Sequence, residues 1–480
     1  MTNVTSKAIP PSPSPAAAKP QGGVVRQIVN QLGVAVASKL VPIATIFLYS
    51  RMMSVADYGV LNLFQSYLWI FALVLSLNLH VAIGRYIYLP GAAFESFLGT
   101  TLISVGAIFV VGAVGILVFA NITSGMLGLP PLLLSLMLVT VAGQIVESLM
   151  TQIAIYDQRG ELLLRIVAGK AMVSLSLSLM LLSVWDSDKF FAVLLADAVA
   201  SFVLSVIVLV LLRRRIEWTL RRVHLAYIAR YALPLVPYML GLTLLSQFDR
   251  VIIDRFYGSE ATGLYSLSYN VGVLLLMAVT AVLNAFNPKF FAALNQGDHE
   301  QVNRDARLIF ALALVPTVAI VLFGPQFATL ILPARYAEGF TLIPIVALGG
   351  LCSVVFQIWV RVLAYFHKTA TISVITIACA GLNVCLNLWL LPLLGWKLAA
   401  WTTVLAYFAM GVLCIIAVNA SRLLPPVLPW REALWILTVL ALVLVNSQQP
   451  LPEVLRVGAL LVVALLNRSE FLHLKQRAIA

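Results

Sequence analysis

Six ionisable side chains stand inside long apolar runs of this chain: Lys39, Glu147, Lys170, Asp197, Asp249 and Arg250. Asp254 and Arg255 close the run that holds the last two, and His80 and Arg85 lie in the second half of another. A charge in hydrocarbon costs at least about 2.5–3.5 kcal/mol on insertion scales, so such groups turn towards a bundle interior or a wet cavity. Gln144, Glu147, Ser148 and Thr151 recur at i, i+3, i+4 and i+7, which is one helical face. Thr243, Ser246, Arg250 and Asp254 trace a second face, Asp197, Ser201 and Ser205 a third, and Lys170, Ser174 and Ser178 a fourth. Hydrogen bonding between helices accounts for the Ser and Thr members; the charged members point to a cavity or pathway. Asp249 and Arg250 project about 100° apart on a helix of 3.6 residues per turn, so neighbourhood in sequence does not pair them. Arg85, Lys170 and Arg361 also have the simpler reading of snorkelling to an interface, which is preferred for Arg361.

Cations at that depth attract an anionic head group, above all a phosphate or pyrophosphate, which Arg binds bidentately. Lys39, Arg250, Lys170, Arg85 and Arg255 are the candidates for lining a substrate cavity. Glu147, Asp197 and Asp249 either balance those charges or carry a coupling cation; both roles stay open. No Walker A, GxSxG, HExxH or paired-cysteine pattern occurs. The four cysteines fall in apolar runs and the five histidines are scattered. Neither a catalytic residue nor a metal or cofactor is expected.

The elements that must position these groups follow from composition. The 480 residues are 61% apolar and 10% charged, with a mean hydropathy of +1.00; soluble domains run near 45–50% and 25%. Apolar segments fall at 25–50, 60–88, 97–120, 131–155, 163–184, 190–212, 232–256, 264–290, 306–323, 339–365, 370–391, 398–419, 433–447 and 454–466. These predict an all-α polytopic membrane protein of about fourteen spans, the last two short. A soluble enzyme, a DNA-binding module, a disulfide scaffold and a β-barrel of short alternating strands are excluded. Residues 1–24 are a Pro-rich low-complexity tail without the order of a signal peptide. With both termini in the cytoplasm, 22 of the 31 Lys and Arg fall inside and 6 outside. That asymmetry supports an even number of spans and explains the net charge of +12 without nucleic acid.

The densest basic cluster, Arg213, Arg214, Arg215, Arg221, Arg222 and Arg230, lies in the loop 213–230. It reads first as a topology anchor on anionic lipid and second as a linker between halves. An internal repeat supports halves: Arg51 precedes Gly59 by eight positions with Asp57 between, and Arg255 precedes Gly263 by eight with Glu260 between. The offset equals six spans, so the copies share one orientation, a parallel repeat of the kind transporters use. The organisation expected is a tail at 1–24, an N-terminal lobe at 25–212, a basic linker at 213–230, a C-terminal lobe at 231–419, and a terminal helix pair with tail at 420–480.

Four stretches carry a family resemblance. They are Arg51 to Gly59 running into Leu61-Asn62-Leu63; Tyr231 to Pro237 through Asp249-Arg250 to Gly263-Leu264-Tyr265-Ser266; Asn383 and Asn387 within 382–390; and Gly395 to Ala400, where Leu398 replaces a usual Gly. Over roughly residues 25–420 the chain resembles the Wzx-type polysaccharide biosynthesis flippases of the multidrug/oligosaccharidyl-lipid/polysaccharide (MOP) exporter superfamily. The resemblance implies two six-helix lobes around a hydrated cavity with a terminal helix pair. It also implies translocation of undecaprenyl-pyrophosphate-linked oligosaccharide repeat units across the bacterial inner membrane for O-antigen, capsule or exopolysaccharide assembly, by alternating access. Polymerase and export machinery are the further partners it suggests.

The rivals are a cation-coupled multidrug or metabolite antiporter and a peptidoglycan-precursor flippase of the same superfamily. A glycan polymerase ranks below them, because no large outer loop is present. The antiporter calls for a carboxylate in the first apolar segment, where Lys39 stands instead. Arg250→Ala and Lys39→Ala should each abolish polymer export with membrane insertion intact; wild-type export in both variants would remove the cationic-cavity argument.

Overall fold

The computed structural model describes residues 41, 43–86, 93–156, 160–448, 451–468 and 470. Lys39, the tail 1–24, the first part of the 25–50 segment and residues 471–480 lie outside the described residues. Most of the described residues are helical, with no strand among them, and eleven of the helices are long and apolar enough to cross a membrane. Those used below are α1 (Ile43–Met52), α2 (Val55–Ser76), α3 (Phe94–Val118), α4 (Pro131–Tyr156), α5 (Gly160–Val184), α6 (Lys189–Leu212), α7 (Arg222–Ala232), α8 (Val236–Gln296), α9 (His299–Ile331), α10 (Ile343–Tyr365), α11 (Thr369–Leu394), α12 (Leu398–Ala420), α13 (Trp430–Gln448) and α14 (Glu453–Leu466).

Two predicted boundaries move, for backbone reasons. The segment 60–88 is not one helix. Ser54 caps α2 by accepting the Asp57 amide at 3.0 Å, and the helix stops at Ser76, where Leu77 and Asn78 take left-handed angles (φ 44° and 52°). The Ser76 hydroxyl accepts the Asn78 amide at 3.1 Å, a local bond that competes with helix continuation. A 3-10 turn, Leu79–Ala82, then carries His80. The segments 232–256 and 264–290, by contrast, join without a loop into α8. Its two arms meet at Gly258 (φ 79°, ψ 179°), a conformation open to glycine alone. At the other end of the chain, α14 has 14 residues. It rises about 21 Å at 1.5 Å per residue, short of a ~30 Å hydrocarbon core.

Buried apolar side chains gather into one core drawn mainly from residues 63–232 and another from 245–463. A third joins them where Tyr49, Met53 and Tyr58 meet Leu264, Tyr336 and Ile343. The closest approach within that seam is between the two copies of the sequence repeat. A Cβ on Gly59 would lie 1.8 Å from the Ser259 carbonyl oxygen, and one on Gly263 would lie 2.1 Å from that of Val55. The contact is reciprocal: residues 55 and 59 of one copy face 263 and 259 of the other. The segment Ala334–Leu342 lies across the same end. Arg335 donates to the carbonyls of Ser50 and Arg51 at 2.7 and 2.8 Å, and Tyr336 stands edge-on to Tyr58 with centroids 5.9 Å apart.

Gly59→Val should push α2 off the second arm of α8. Overpacking costs about 1–3 kcal/mol and more where backbone must yield, so the melting temperature of the purified protein in detergent should fall by several degrees. An unchanged melt would mean that the two helices do not meet at this glycine.

Candidate substrate cavity

A cavity of about 550 Å³ opens beside this seam, with walls from α1, α2, α4, α5, α6 and both arms of α8. Glu147, Lys170, Asp197 and Arg250, four residues singled out by type and spacing, line it. A second cavity of about 390 Å³ adjoins it through shared wall residues, among them Trp69, Glu147, Lys170 and Asp197. All four members of the α4 stripe, Gln144, Glu147, Ser148 and Thr151, line this second cavity.

Arg250 is 4% exposed. Its guanidinium donates to the Ser246 carbonyl at 2.8 Å, to Gln247 Oε1 at 3.4 Å and to Asn270 Oδ1 at 3.4 Å. Its Cζ stands 4.7 Å from the centre of the Tyr269 ring. Ser246 and Gln247 sit one turn back on the same arm, whereas Tyr269 and Asn270 come from the other arm. The bend at Gly258 brings them together. Each of these hydrogen bonds goes to a neutral oxygen, so the cation is solvated without being neutralised by them. Asn270 Nδ2 passes the network on to Tyr58 Oη at 3.2 Å and Asn62 Oδ1 at 3.1 Å, and Ser66 Oγ donates to Gln247 Oε1 at 3.2 Å. This polar belt stitches α2 to both arms. Charge-based reading missed Tyr58, Asn62, Gln247 and Asn270; the signal of the last three was only that amides interrupt apolar runs.

On the other wall, Lys170 Nζ donates to Glu147 Oε2 at 2.9 Å, and Ser174 Oγ donates to Asp197 Oδ1 at 3.3 Å. Ser178 leaves the cavity and shares a 2.6 Å hydrogen bond with Tyr49 Oη. Ser201 packs against Gly143, where an added Cβ would meet its own at 2.5 Å, so this part of the Asp197 stripe serves helix packing.

Asp249 turns away from the cavity, as its 100° offset from Arg250 requires. It is 1% exposed. Tyr265 and Thr403 each donate to its Oδ2 at 2.7 Å, and Asn387 donates to Oδ1 at 2.7 Å. Three neutral donors from α8, α11 and α12 therefore hold it inside the second core. Arg85 and Arg255 line neither cavity. Arg85 is exposed and stacks over Tyr231 at 5.2 Å, and Arg255 is exposed at the bend of α8. Arg361 lines a third cavity of about 450 Å³, with Nε donating to Asn287 Oδ1 at 2.7 Å. Lys39 lies outside the described residues. No group of three or more His, Cys, Asp or Glu is disposed to hold a metal among the described residues.

Apolar helices of spanning length around a polar, charged cavity define a multi-pass membrane protein, with the fold of the MOP superfamily. The chain belongs to the polysaccharide biosynthesis protein family, whose model matches residues 24–293. A protein of the Lsg locus of Haemophilus influenzae is 23% identical over 362 residues, covering 70% of this chain and 84% of that protein. The structure of the lipid II flippase MurJ in an inward closed conformation is similar with a TM-score of 0.65 at 10% identity, covering 93% of this chain and 98% of that one. An inward-facing multidrug resistance MATE family transporter of the MOP superfamily gives a TM-score of 0.58 at 16% identity, covering 84% and 98%.

The Lys170–Glu147 pair is partly buried, with side chains 15% and 25% exposed. Lys170→Met should leave an unpaired carboxylate and cost about 1–3 kcal/mol, the penalty for an unmet buried polar group. Adding Glu147→Gln should restore most of the loss in thermal unfolding of the purified protein. Additive losses in the double variant would show that the two groups do not act as a pair.

Proposed function

We propose that this protein is a flippase that carries undecaprenyl-pyrophosphate-linked oligosaccharide repeat units across the bacterial inner membrane for assembly of a surface polysaccharide. The observation that carries the reading is Arg250: a buried guanidinium in the wall of a cavity between the two cores, hydrogen-bonded among the described residues to neutral oxygens. Such a group retains its charge for an incoming anion, and a pyrophosphate offers oxygens in the geometry that Arg matches. The polyprenyl chain stays in lipid while the head group, which cannot cross hydrocarbon unaided, shelters in the cavity. The polysaccharide family membership and the fold shared with the lipid II flippase support the same substrate class. Lys39, from the first apolar segment, is a second cation for the head group in this reading.

The 204-residue repeat and the reciprocal Gly59–Gly263 contact support two lobes, 25–212 and 231–419, joined by the basic linker 213–230 and followed by the terminal helix pair of 420–480. With both termini cytoplasmic, as the Lys and Arg asymmetry favours, the end closed by Gly59, Gly263 and Arg335 faces outwards. Alternating access then parts that contact and closes the opposite end. Asp249, held by neutral donors in the second core, is the carboxylate placed to couple this motion to a cation. Lys170 is balanced by Glu147, and Asp197 lies beside them. Transport needs no catalytic residue or cofactor. A polymerase or export assembly takes the delivered units.

Disruption of the chromosomal gene should stop surface polymer and cause lipid-linked repeat units to build up on the cytoplasmic side. Surface display of single, unpolymerised units would instead identify a lost polymerase. Unchanged polymer with lost resistance to cationic drugs would point to the antiporter.

A further inference from the structure

The two adjoining cavities differ in charge. Arg250 belongs to the first alone. The charged residues at their junction are Glu147, Lys170 and Asp197, which together carry a formal charge of −1. Beyond that junction the polar lining of the second cavity is His80 with amides and hydroxyls, Gln144, Gln152, Thr140, Ser148 and Thr151. The charge that attracts an anion is at the Arg250 end, and the junction offers no net positive charge to hold one. What suits the second cavity is an uncharged group rich in both donors and acceptors.

The details of its wall agree. The hydroxyls of Thr140, Ser148 and Thr151 donate to carbonyls one turn back on α4, at 3.0, 2.9 and 2.8 Å. Their oxygens are thereby left as acceptors, while the Gln side chains supply N–H donors. His80 Nδ1 and Gln144 Oε1 are buried without a hydrogen-bond partner among the described residues, so this wall keeps unspent hydrogen-bonding capacity. Gln152 Oε1 rests against Gly84, where a Cβ would approach to 2.8 Å, so the glycine makes room for that amide. Trp69, 48% exposed, stands in the wall common to both cavities. It presents a flat apolar face beside the polar groups, the pairing that fits a pyranose with its C–H face and its hydroxyl rim. From Gln144 to Gln152 the wall extends about 12 Å at 1.5 Å per residue, which accommodates more than one ring.

We infer that the second cavity is a saccharide subsite: Trp69 stacks on the sugar nearest the carrier, and Gln144, Thr151, Gln152 and His80 read its hydroxyls, while the pyrophosphate lies towards Arg250. The inference rests on the flippase reading above and assigns the sugar end of its substrate. It makes these five residues the determinants of which glycan is moved, because a site built to hydrogen-bond a hydroxyl strongly rejects an analogue lacking it.

The test uses the full chain in lipid nanodiscs and two kinds of probe. One is undecaprenyl pyrophosphate; the other is the same carrier bearing a single N-acetylglucosamine or galactose. Affinities are read by native mass spectrometry. At least one sugar-bearing carrier should bind about tenfold tighter than the bare carrier, the worth of one or two hydrogen bonds. Gln144→Leu and Gln152→Leu, at residues that line the second cavity alone, should each erase most of that difference and leave the bare-carrier affinity unchanged, while Trp69→Ala should weaken the sugar-bearing carrier more than the bare one, with Trp69→Tyr retaining part of the difference. The preserved bare-carrier affinity doubles as proof that the variants are folded. Bare and sugar-bearing carriers binding alike in the wild type, or losing affinity alike in the variants, overturns the saccharide subsite and leaves the flippase reading standing. Failure of every carrier to bind the wild type overturns both.

Discussion

A guanidinium at 4% exposure in a chain surrounded by lipid must be solvated by the protein itself, and the centre of this structure is arranged to do that. A charge without such partners costs several kcal/mol to bury. The Ser246 carbonyl, the Gln247 and Asn270 amides and the Tyr269 ring meet the demand. They come from both arms of α8, so the bend at Gly258 is a condition of the cation's burial. The same Asn270 reaches Tyr58 and Asn62 on α2, so the solvation of one charge also ties the two cores together. Asp249, next in sequence, is solvated separately by Tyr265, Asn387 and Thr403. Two opposite charges that sit side by side in the chain thus serve two different interiors.

The seam between the cores combines close backbone contact with a polar belt. At one end the glycines of the repeat let α2 and α8 touch backbone to backbone, and Arg335 and Tyr336 cover that contact. Deeper in, neutral amides exchange hydrogen bonds across the seam. Contacts of this kind are individually modest, about 0.5–1.5 kcal/mol net. The fold is shared with a MurJ structure in an inward closed conformation and with an inward-facing MATE family transporter.

Much of this was legible before any coordinates. The α4 stripe Gln144, Glu147, Ser148 and Thr151 was visible as a helical period, and all four residues line the second cavity, because a polar face on an apolar helix has few other places to go. Arg85 and Arg255 show the limit of that reasoning. A basic residue near a span end satisfies its charge equally well in a cavity or at an exposed position, and both are exposed. Spacing could not reveal that Asn62 and Asn270 meet, since they are 208 positions apart. The break at Leu77 and the loop-free bend at Gly258 escaped as well: a hydropathy window averages over single residues whose backbone angles decide where a helix stops.

The amino-acid sequence alone determined that the chain is helical and lives in a membrane, because 61% apolar content in long unbroken runs admits hardly any other structure. It also determined which side chains are too costly to leave in lipid, and where a repeat recurs. Only the tertiary structure decided how those charges are used: Lys170 against Glu147, Asp249 among neutral donors, Arg250 at a cavity wall. The physical reason is that transfer into lipid depends on the residue itself and can be read locally, whereas the partner that offsets a buried charge lies on another helix, at a distance in sequence that no local pattern encodes.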